Sequence, residues 1–311
     1  MKILILGAAG FIGKNLTIHL IEKGDNELFL FDRENSDYSN VIQGNEDNVS
    51  LFYGDFNTEY DFKRITKDVD VVYHLISTSN PSTSKSVSDD MKGNVLPTIN
   101  LLDACIHNNV KKIVFLSSGG TVYGVVKEVP INEMHDRNPI CSYGIQKLTI
   151  ENIIEYYGYQ FGLDYRIIRL ANPYGPYQNP KGGLGAVTTF IYKMLTKQTI
   201  EVYGDGRVIR DYIFIEDAIN GIVNIANGNT EEKVFNLGGG KGYSINEIIE
   251  ALNKYNGEKV MVEYRLGRNI DVPINTLDVS RYEQYYGKPE RFSLETGIIK
   301  TVEFMKANYN L

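Results

Sequence analysis

The start of the chain places an apolar run, a glycine turn and a helical pattern in immediate succession, which constrains the fold more than any other feature. Residues 2–6 (KILIL) lack helical periodicity and end at a glycine, which predicts a buried parallel strand. Glycines at 7, 10 and 13 come next, followed by a helical pattern through Leu16 and Leu20. A helix that begins at such a turn presents free N–H groups and the positive end of its dipole to a phosphate. The sequence therefore predicts a dinucleotide-binding α/β domain.

The three glycines have separate roles in this interpretation. Gly7 permits the tight turn, Gly10 lets the backbone approach a pyrophosphate, and Gly13 lets the helix pack closely against the sheet. Their spacing is GxxGxxG rather than GxGxxG, so the glycines alone do not define the family.

An acidic residue at the end of the second predicted strand indicates which dinucleotide is bound. Residues 27–32 (ELFLFD) end in Asp32, whose carboxylate can accept from both hydroxyls of the adenosine ribose. This favours NAD over NADP. The neighbouring Arg33 leaves NADP as an alternative, because an arginine can bind a 2′-phosphate.

Further apolar runs at 48–55, 70–75, 112–116 and 164–170 predict strands, and helices are predicted from about 94 to 108 and from 213 to 226. Repeated alternation of strand and helix predicts a doubly wound parallel sheet. Asp55, at the tip of the third strand, could reach the adenine. His74, near the end of the fourth, is interpreted as a satisfied structural histidine.

Two stretches after the fifth strand carry candidate chemistry. The loop 117–124 (SSGGTVYG) offers hydroxyls at the carboxyl edge of the sheet, where ligands bind in open α/β folds. Tyr143 and Lys147 lie four residues apart on the next predicted helix and share a face. A Lys ammonium beside a phenol is expected to lower the pKa of the phenol and make Tyr143 a general base. The alternative is a chance pair on an amphipathic helix.

Composition narrows the function further. A net charge of −7 argues against nucleic-acid binding, which requires a basic surface. Two cysteines and four scattered histidines indicate neither a disulfide framework nor a metal site. No apolar run approaches a membrane span, and a strand that begins at Ile3 leaves no room for a signal peptide. We therefore expect a soluble cytoplasmic protein.

With these residues the sequence resembles the extended short-chain dehydrogenase/reductase family, and within it the nucleotide-sugar epimerases of the UDP-glucose 4-epimerase type. The motifs that carry the resemblance follow the order of the family and cover nearly the whole chain. They are GAAGFIG at 7–13, Asp32, Gly54-Asp55, DVVYHL at 70–75, SSGGTVYG at 117–124, YGIQK at 143–147, RLANPYGP at 169–176, YGDGRVIRDYIFIEDA at 203–218 and GRNIDVP at 267–273.

The resemblance implies a tightly held NAD and a UDP-sugar substrate. The residues it assigns to NAD are Gly7, Gly10, Phe11, Ile12, Gly13, Asp32, Asp55, Phe56, Leu75, Ser77, Asn94, Tyr143 and Lys147. The residues it assigns to the substrate are Ser118, Thr121, Asn172, Leu184, Tyr203, Arg210, Arg268 and Asn275. Asn172, Arg210 and Arg268 would hold the diphosphate, which suits arginines presented from loops. Leu184 and Tyr203 would lie by the uracil.

The chain departs from the family at Gly119, where many relatives carry the Ser or Thr that bonds the reacting hydroxyl of the sugar. We assign that role to Ser118 and keep Thr121 as the second candidate. A third possibility is that Tyr143 acts with Lys147 alone. Asn275 stands where strict UDP-glucose enzymes have a bulkier Tyr, so an N-acetylated sugar is a possible substrate.

The resemblance also implies two interleaved domains and a homodimer. The NAD-binding Rossmann domain would cover 1–172 plus about 210–238, and a smaller mixed α/β substrate domain would cover 173–209 plus about 239–311.

The predicted function is an NAD-dependent 4-epimerase of a UDP-hexose that works through a transient 4-keto intermediate, with Tyr143, Lys147 and Ser118 as catalytic residues. A UDP-uronic-acid epimerase or decarboxylase remains open. A dehydratase fits poorly, because the chain has Gly120 and Thr121 where dehydratases place an Asp-Glu pair. A dinucleotide-binding sensor without activity would predict loss of Tyr143 or Lys147.

Overall fold

The computed structural model describes residues 1–84, 86–267 and 272–309. Within these ranges the strands are β1 Lys2–Leu6, β2 Glu27–Asp32, β3 Val49–Tyr53, β4 Val71–His74, β5 Lys112–Ser118, β6 Asp164–Leu170, β7 Asn172–Tyr174, β8 Ile200–Tyr203, β9 Ile209–Phe214, β10 Val234–Leu237, β11 Gly242–Ser244, β12 Val262–Arg265 and β13 Ile274–Asn275. The helices are α1 Phe11–Glu22, α2 Ser39–Ile42, α3 Phe62–Thr66, α4 Val87–Asp90, α5 Leu96–His107, α6 Ser142–Phe161, α7 Ala186–Leu195, α8 Ile215–Asn227, α9 Ile245–Asn256, α10 Ser280–Tyr286 and α11 Leu294–Asn308. A π-helical turn at Met91–Val95 joins α4 to α5.

The centre of the molecule is a parallel sheet in the order β3-β2-β1-β4-β5-β6-β10, which has seven strands over the described residues. Every neighbouring pair in it is parallel. The strand order reverses between β1 and β4, and ligands of doubly wound folds bind in the crevice at this point. The predicted Rossmann fold class is confirmed.

Alternation along β1 explains why helices cover both faces of the sheet. Ile3 and Ile5 pack with α1 and α8, whereas Leu4 and Leu6 pack with α5 and α6. All four side chains are buried, as expected for a parallel strand that is covered on both faces.

Two smaller sheets follow β6. In one, β9 pairs with β7, β11 and β13; in the other, β8 pairs with β12. The sequence predicted a helix from Ile213, but Ile213 and Phe214 end β9 and the helix α8 begins at Ile215. Pairing of Ile213 and Phe214 with β7 overrides the helical pattern of this apolar run. Strand β10 then returns to the edge of the main sheet, next to β6. The predicted domain boundaries stay a prediction.

Candidate active site

The glycine turn is built by close contact between β1, α1 and the loop after β4. Gly7 has a φ of +88°, and a Cβ there would lie 3.2 Å from the backbone nitrogen of Ile76. A Cβ on Gly13 would lie 2.1 Å from the carbonyl oxygen of Gly7. Helix α1 therefore begins directly against the turn, and its N-cap, Gly10, has no side chain to block the free N–H groups.

A cleft of about 690 Å³ opens over this turn, which is the size of an ordinary ligand site. The residues predicted to bind NAD that line it are Gly7, Gly10, Asp32, Asp55, Phe56, Leu75 and Ser77. Both carboxylate oxygens of Asp32 accept backbone N–H groups, from Ala9 at 3.0 Å and from Arg33 at 2.9 Å. A free helix N-terminus, an acid at the end of β2 and a cleft of this volume fit a dinucleotide.

Other predicted NAD residues lie around the cleft rather than in its lining. Phe11 and Ile12 open α1, and Gly13 lies behind the turn. Asn94 is 2% exposed and accepts the backbone N–H of Thr78 at 2.8 Å, so it shapes the loop after β4. The cleft is also lined by Asn35, Ser36 and Thr78, which were not identified from the sequence because no recognisable spacing marks them.

Helix α6 brings Tyr143 and Lys147 to the end of β5. The Nζ of Lys147 donates to the carbonyl oxygen of Leu116 at 2.7 Å and lies 5.8 Å from the centre of the Tyr143 ring. A Cβ on Gly144 would lie 2.8 Å from the carbonyl oxygen of Thr121. The start of α6 therefore packs against the 117–124 loop.

The prediction that Lys147 lowers the pKa of Tyr143 is wrong. Burial raises the pKa of Tyr143 well above its usual range, and Cys141 and Asp90 add to this effect, whereas the Ser77 hydroxyl that faces the phenol lowers it. Burial also lowers the pKa of Lys147 to about 7, against the opposing effect of Glu151. At neutral pH Lys147 is thus only partly charged, which removes much of the expected stabilisation of a phenolate.

A buried ion pair lies one turn further along α6. Glu151 is fully buried and bonds the guanidinium of Arg169 at 2.7 Å, and it also accepts the hydroxyl of Ser117. Sequence reasoning missed this pair because its two members lie on different elements. Glu151 raises the pKa of Lys147 from one turn away.

The 117–124 loop contains a hydroxyl without a protein partner. Thr121 Oγ1 is buried and has no hydrogen-bond partner among the described residues. Ser118 is half-buried in the same loop. The side chain of Asn275 is buried beneath the loop and donates to the carbonyl oxygen of Gly119 at 3.0 Å. A Cβ on Gly119 would lie 2.6 Å from Leu277 Cδ1, which explains why glycine occupies this position.

The predicted substrate residues after β6 are dispersed. Asn172 donates to the carbonyl oxygen of Asp211 at 2.8 Å, and Arg210 donates to that of Val272 at 2.7 Å. Arg210 pairs with Asn275 in the small sheet, so these two predicted residues lie side by side. Leu184 and Tyr203 are 41% and 42% exposed and are not part of the buried cluster around Lys147. Arg268 lies outside the described residues.

His74 is buried, and the prediction that its hydrogen bonds are satisfied holds at only one of its two nitrogens. Its Nε2 lies 2.9 Å from Thr98 Oγ1, and its Nδ1 has no partner among the described residues. Burial lowers the pKa of His74 to about 3, which keeps the ring neutral beside Lys147.

The described residues hold neither a metal-binding cluster nor a membrane-spanning helix. No group of three His, Cys, Asp or Glu side chains there could hold a metal ion. None of the helices in the described ranges combines the length and apolar character that crossing a bilayer requires.

A Rossmann sheet with a Tyr-x-x-x-Lys helix beside the dinucleotide cleft defines an extended short-chain dehydrogenase/reductase. The chain belongs to the NAD dependent epimerase/dehydratase family, whose pattern matches residues 3–238. It is 31% identical to the UDP-glucose 4-epimerase of Mycolicibacterium smegmatis, with 98% of this chain and 99% of that protein covered. The resemblance stated above is confirmed, and the protein is an enzyme with NAD as its cofactor.

Solved structures of 4-epimerases have the same fold as this chain. The UDP-glucose 4-epimerase of Thermotoga maritima with UDP-glucose is 31% identical, with a TM-score of 0.91 and 99% of each chain covered. The UDP-glucuronic acid 4-epimerase of Bacillus cereus, in complex with UDP-glucuronic acid and NAD, is 28% identical, with a TM-score of 0.88 and coverage of 99% of this chain and 100% of that one.

Proposed function

We propose that this enzyme is a 4-epimerase that interconverts UDP-glucose and UDP-galactose, or their N-acetylated forms, through a 4-keto sugar. The observation that carries the proposal is the convergence of α6 with the loop after β5. The bond from Lys147 Nζ to the carbonyl of Leu116 at 2.7 Å and the packing of Gly144 on Thr121 hold the helix that carries Tyr143 against the loop that carries Ser118 and Thr121. The dinucleotide cleft ends in the adjacent loop after β4.

In the proposed mechanism Tyr143 removes the proton from the sugar's 4-hydroxyl and returns it after the sugar has turned. NAD, when bound, supplies the acceptor and donor of the C4 hydride. Lys147 supports the phenolate, and the hydroxyl of Ser118 or Thr121 bonds the oxygen at C4. General-base catalysis of this kind contributes about 10²–10⁴-fold.

The raised pKa of Tyr143 bears on this role. The high pKa of Tyr143 makes its phenolate a strong base once formed, but only a small fraction is ionised near neutral pH. The rate should therefore rise with pH as Tyr143 loses its proton, and loss of the Lys147 proton, which removes support for the phenolate, should oppose this rise.

The substrate's diphosphate is proposed to bind Asn172, Arg210 and Arg268, with the uracil near Leu184 and Tyr203. The support is chemical, since arginine forms paired hydrogen bonds with phosphate oxygens. A firm grip on the diphosphate and a loose grip on the hexose would let the keto sugar present either face.

The first test is incubation of the purified enzyme, without added cofactor, with UDP-galactose and with UDP-N-acetylgalactosamine in separate samples. Conversion to the 4-epimer, followed by NMR of the sugar protons, is the expected result and also demonstrates retained NAD. Failure of both sugars to react, even after NAD is added, would overturn the proposal. UDP-glucuronic acid would then be assayed, because a UDP-glucuronic acid 4-epimerase is among the similar structures.

The resemblance to the family at Asn275 is what favours the N-acetylated sugars. Its side chain packs beneath the 117–124 loop, and an asparagine is smaller than the tyrosine expected for strict UDP-glucose enzymes. Asn275→Tyr should reduce activity on UDP-N-acetylgalactosamine more than on UDP-galactose. An equal loss on both sugars would indicate damage to the loop, since Asn275 is fully buried. Undiminished activity on the N-acetylated sugar would contradict control of substrate size by this residue.

We also propose a cytoplasmic homodimer, by analogy with the family. Light scattering after size exclusion, at several protein concentrations, would measure the mass directly. A monomer at all concentrations would contradict the dimer.

A further inference from the structure

Asp90, the last residue of α4, is a buried carboxylate that accepts hydrogen bonds from three serines. It is 3% exposed. Ser79 donates to one oxygen at 2.6 Å, and Ser84 and Ser142 both donate to the other at 2.5 Å. Ser79 and Ser84 belong to the loop after β4, whereas Ser142 is the first residue of α6. One carboxylate thus joins two elements that border the candidate active site.

The three hydroxyls keep this carboxylate ionised. Burial by itself would raise the pKa of Asp90, but hydrogen bonds from Ser142, Ser79 and Ser84 outweigh burial and lower the pKa. Over the described residues, no cation is among the groups that set this pKa. The N-terminus of α6, with its positive dipole end, further favours the negative charge.

The same network extends towards the phenol of Tyr143. Gln146, fully buried on the first turns of α6, donates to Ser79 Oγ at 2.9 Å. Ser77 donates its hydroxyl to the carbonyl oxygen of Ser79 at 2.8 Å. Ser77 also faces the phenol oxygen of Tyr143. The position of Ser77 relative to Tyr143 therefore depends on how Ser79 is held, and Asp90 and Gln146 both hold Ser79.

We propose that Asp90 is a positioning residue: it fastens the loop after β4 to the start of α6 and so keeps the Ser77 hydroxyl against the reacting phenol of Tyr143. Its contribution to catalysis rests on the proposed function, whereas the link between the loop and the helix does not.

The matched test compares Asp90→Asn with Asp89→Asn. Asp89 is the exposed neighbour on α4, so the same chemical change is made one residue away and outside the network. Hydrogen exchange followed by mass spectrometry, on the enzyme with its cofactor, would report on peptides that cover 76–84 and 141–147. Asp90→Asn should make exchange about tenfold faster in both peptides, whereas Asp89→Asn should leave both unchanged. Equal exchange in the two variants would overturn the proposal, and this arm needs no substrate.

Kinetics provide a readout that a purely structural role would not change. The charged and titratable groups that face the phenol are Asp90 from α4, Cys141 before α6 and Lys147 from the next turn. The negative charge of Asp90 raises the pKa of Tyr143. Asp90→Asn should lower kcat about tenfold, leave KM for the UDP-sugar nearly unchanged and move the acid limb of the kcat profile to higher pH, because losing the Ser77 hydrogen bond outweighs losing the Asp90 charge. A lower kcat with no shift of the limb would reduce Asp90 to a stability role and overturn its place in catalysis.

Two further variants keep the test decisive if Asp90→Asn does not fold. Ser142→Ala removes one donor and keeps the carboxylate, so it should speed exchange in the 76–84 peptide, and Ser142→Thr should restore slow exchange. No effect of Ser142→Ala would count against the link. If the wild-type enzyme converts no UDP-sugar, the proposed function fails, while the exchange experiment still decides whether Asp90 couples the loop to the helix.

Discussion

Two hydroxyl-rich loops follow neighbouring strands of the main sheet, and their side-chain hydroxyls differ in whether they have hydrogen-bond partners within the protein. The loop after β4 bonds its serine hydroxyls within the protein, through Asp90 and the backbone of Ser79. The loop after β5 leaves the Thr121 hydroxyl buried without a partner among the described residues. Because an unpaired buried hydroxyl costs free energy, its retention suggests a ligand as its partner. The loop after β4 thus positions the hydroxyl of Ser77, whereas the loop after β5 leaves the hydroxyl of Thr121 available to bind a ligand.

Tyr143 lies where the two loops meet, so its removal should have the largest effect. Tyr143→Phe should fold and retain NAD but lose epimerisation by about 10²–10⁴-fold, because the base is lost and the ring is kept. NMR of the sugar products measures the rate, and cofactor absorbance after gel filtration measures retention. Near-normal turnover would show that Tyr143 is not the base. The proposed roles of the two loops, which both depend on their position beside Tyr143, would then be wrong.

Lys147→Met should increase stability while it reduces activity. The pKa of Lys147 is lowered from 10.5 to about 7, so the unfolded chain binds more protons between these values and wild-type stability rises with pH across this window. Below it, the folded protein must charge a buried amine. The variant should be more stable at pH 7 by roughly 2–4 kcal/mol, because each pKa unit corresponds to about 1.4 kcal/mol and the lost bond to Leu116 offsets part of the gain.

Thermal unfolding at pH 7 and pH 10 would measure this difference, which should shrink at the higher pH. Lys63→Met, an exposed substitution on α3, is the control and should show neither effect. A variant that is less stable than the wild type at pH 7 would show that the hydrogen bond to Leu116 outweighs the burial of the amine.

What could be predicted from the sequence differs between the two loops for a physical reason. The glycine turn and the strands could be predicted because each depends on backbone conformation or on a short repeating pattern. The Asp90 network could not, since its serine partners lie 6, 11 and 52 residues away and no local pattern joins them.

The pKa of Tyr143 and the end of β9 likewise depend on contacts between distant parts of the chain and could not be predicted from local sequence. The Tyr-x-x-x-Lys spacing correctly predicted a shared helix face, but the sign of the phenol's pKa shift is set by burial, which depends on the whole fold. Likewise, Ile213 and Phe214 suit a helix locally, and strand pairing with β7 decides their conformation. Side chains such as Asn172 and Arg210 could be assigned only by resemblance to the family.

Gly119→Ser tests whether the second loop excludes the family's usual hydroxyl for a packing reason. The new Cβ would lie 2.6 Å from Leu277 Cδ1 and 3.1 Å from the carbonyl oxygen of Arg169, so the variant should lose about 1–3 kcal/mol of stability. Gly120→Ser is the matched control, because a Cβ there meets only Ser118 Oγ at 3.9 Å.

Denaturant unfolding of Gly119→Ser, Leu277→Ala and the double variant would form a cycle. Leu277→Ala should relieve the clash, so the double variant should be more stable than the sum of the single losses predicts. Additive losses would mean that the loop moves away from Leu277 instead, and the packing explanation for Gly119 would be wrong.

Thr121→Val should have the smallest effect and is the sharpest test of the contrast between the loops. Valine has nearly the same shape and removes only the unpaired hydroxyl, so stability should stay level or rise by up to about 1 kcal/mol. If this hydroxyl bonds the sugar, kcat should fall about tenfold while the fold is unharmed. Ser118→Ala is the competing variant, since Ser118 is the first candidate for the same role. A larger loss of kcat in Ser118→Ala would assign the hydrogen bond to the sugar to Ser118. The unpaired hydroxyl of Thr121 would then lower stability without contributing to catalysis.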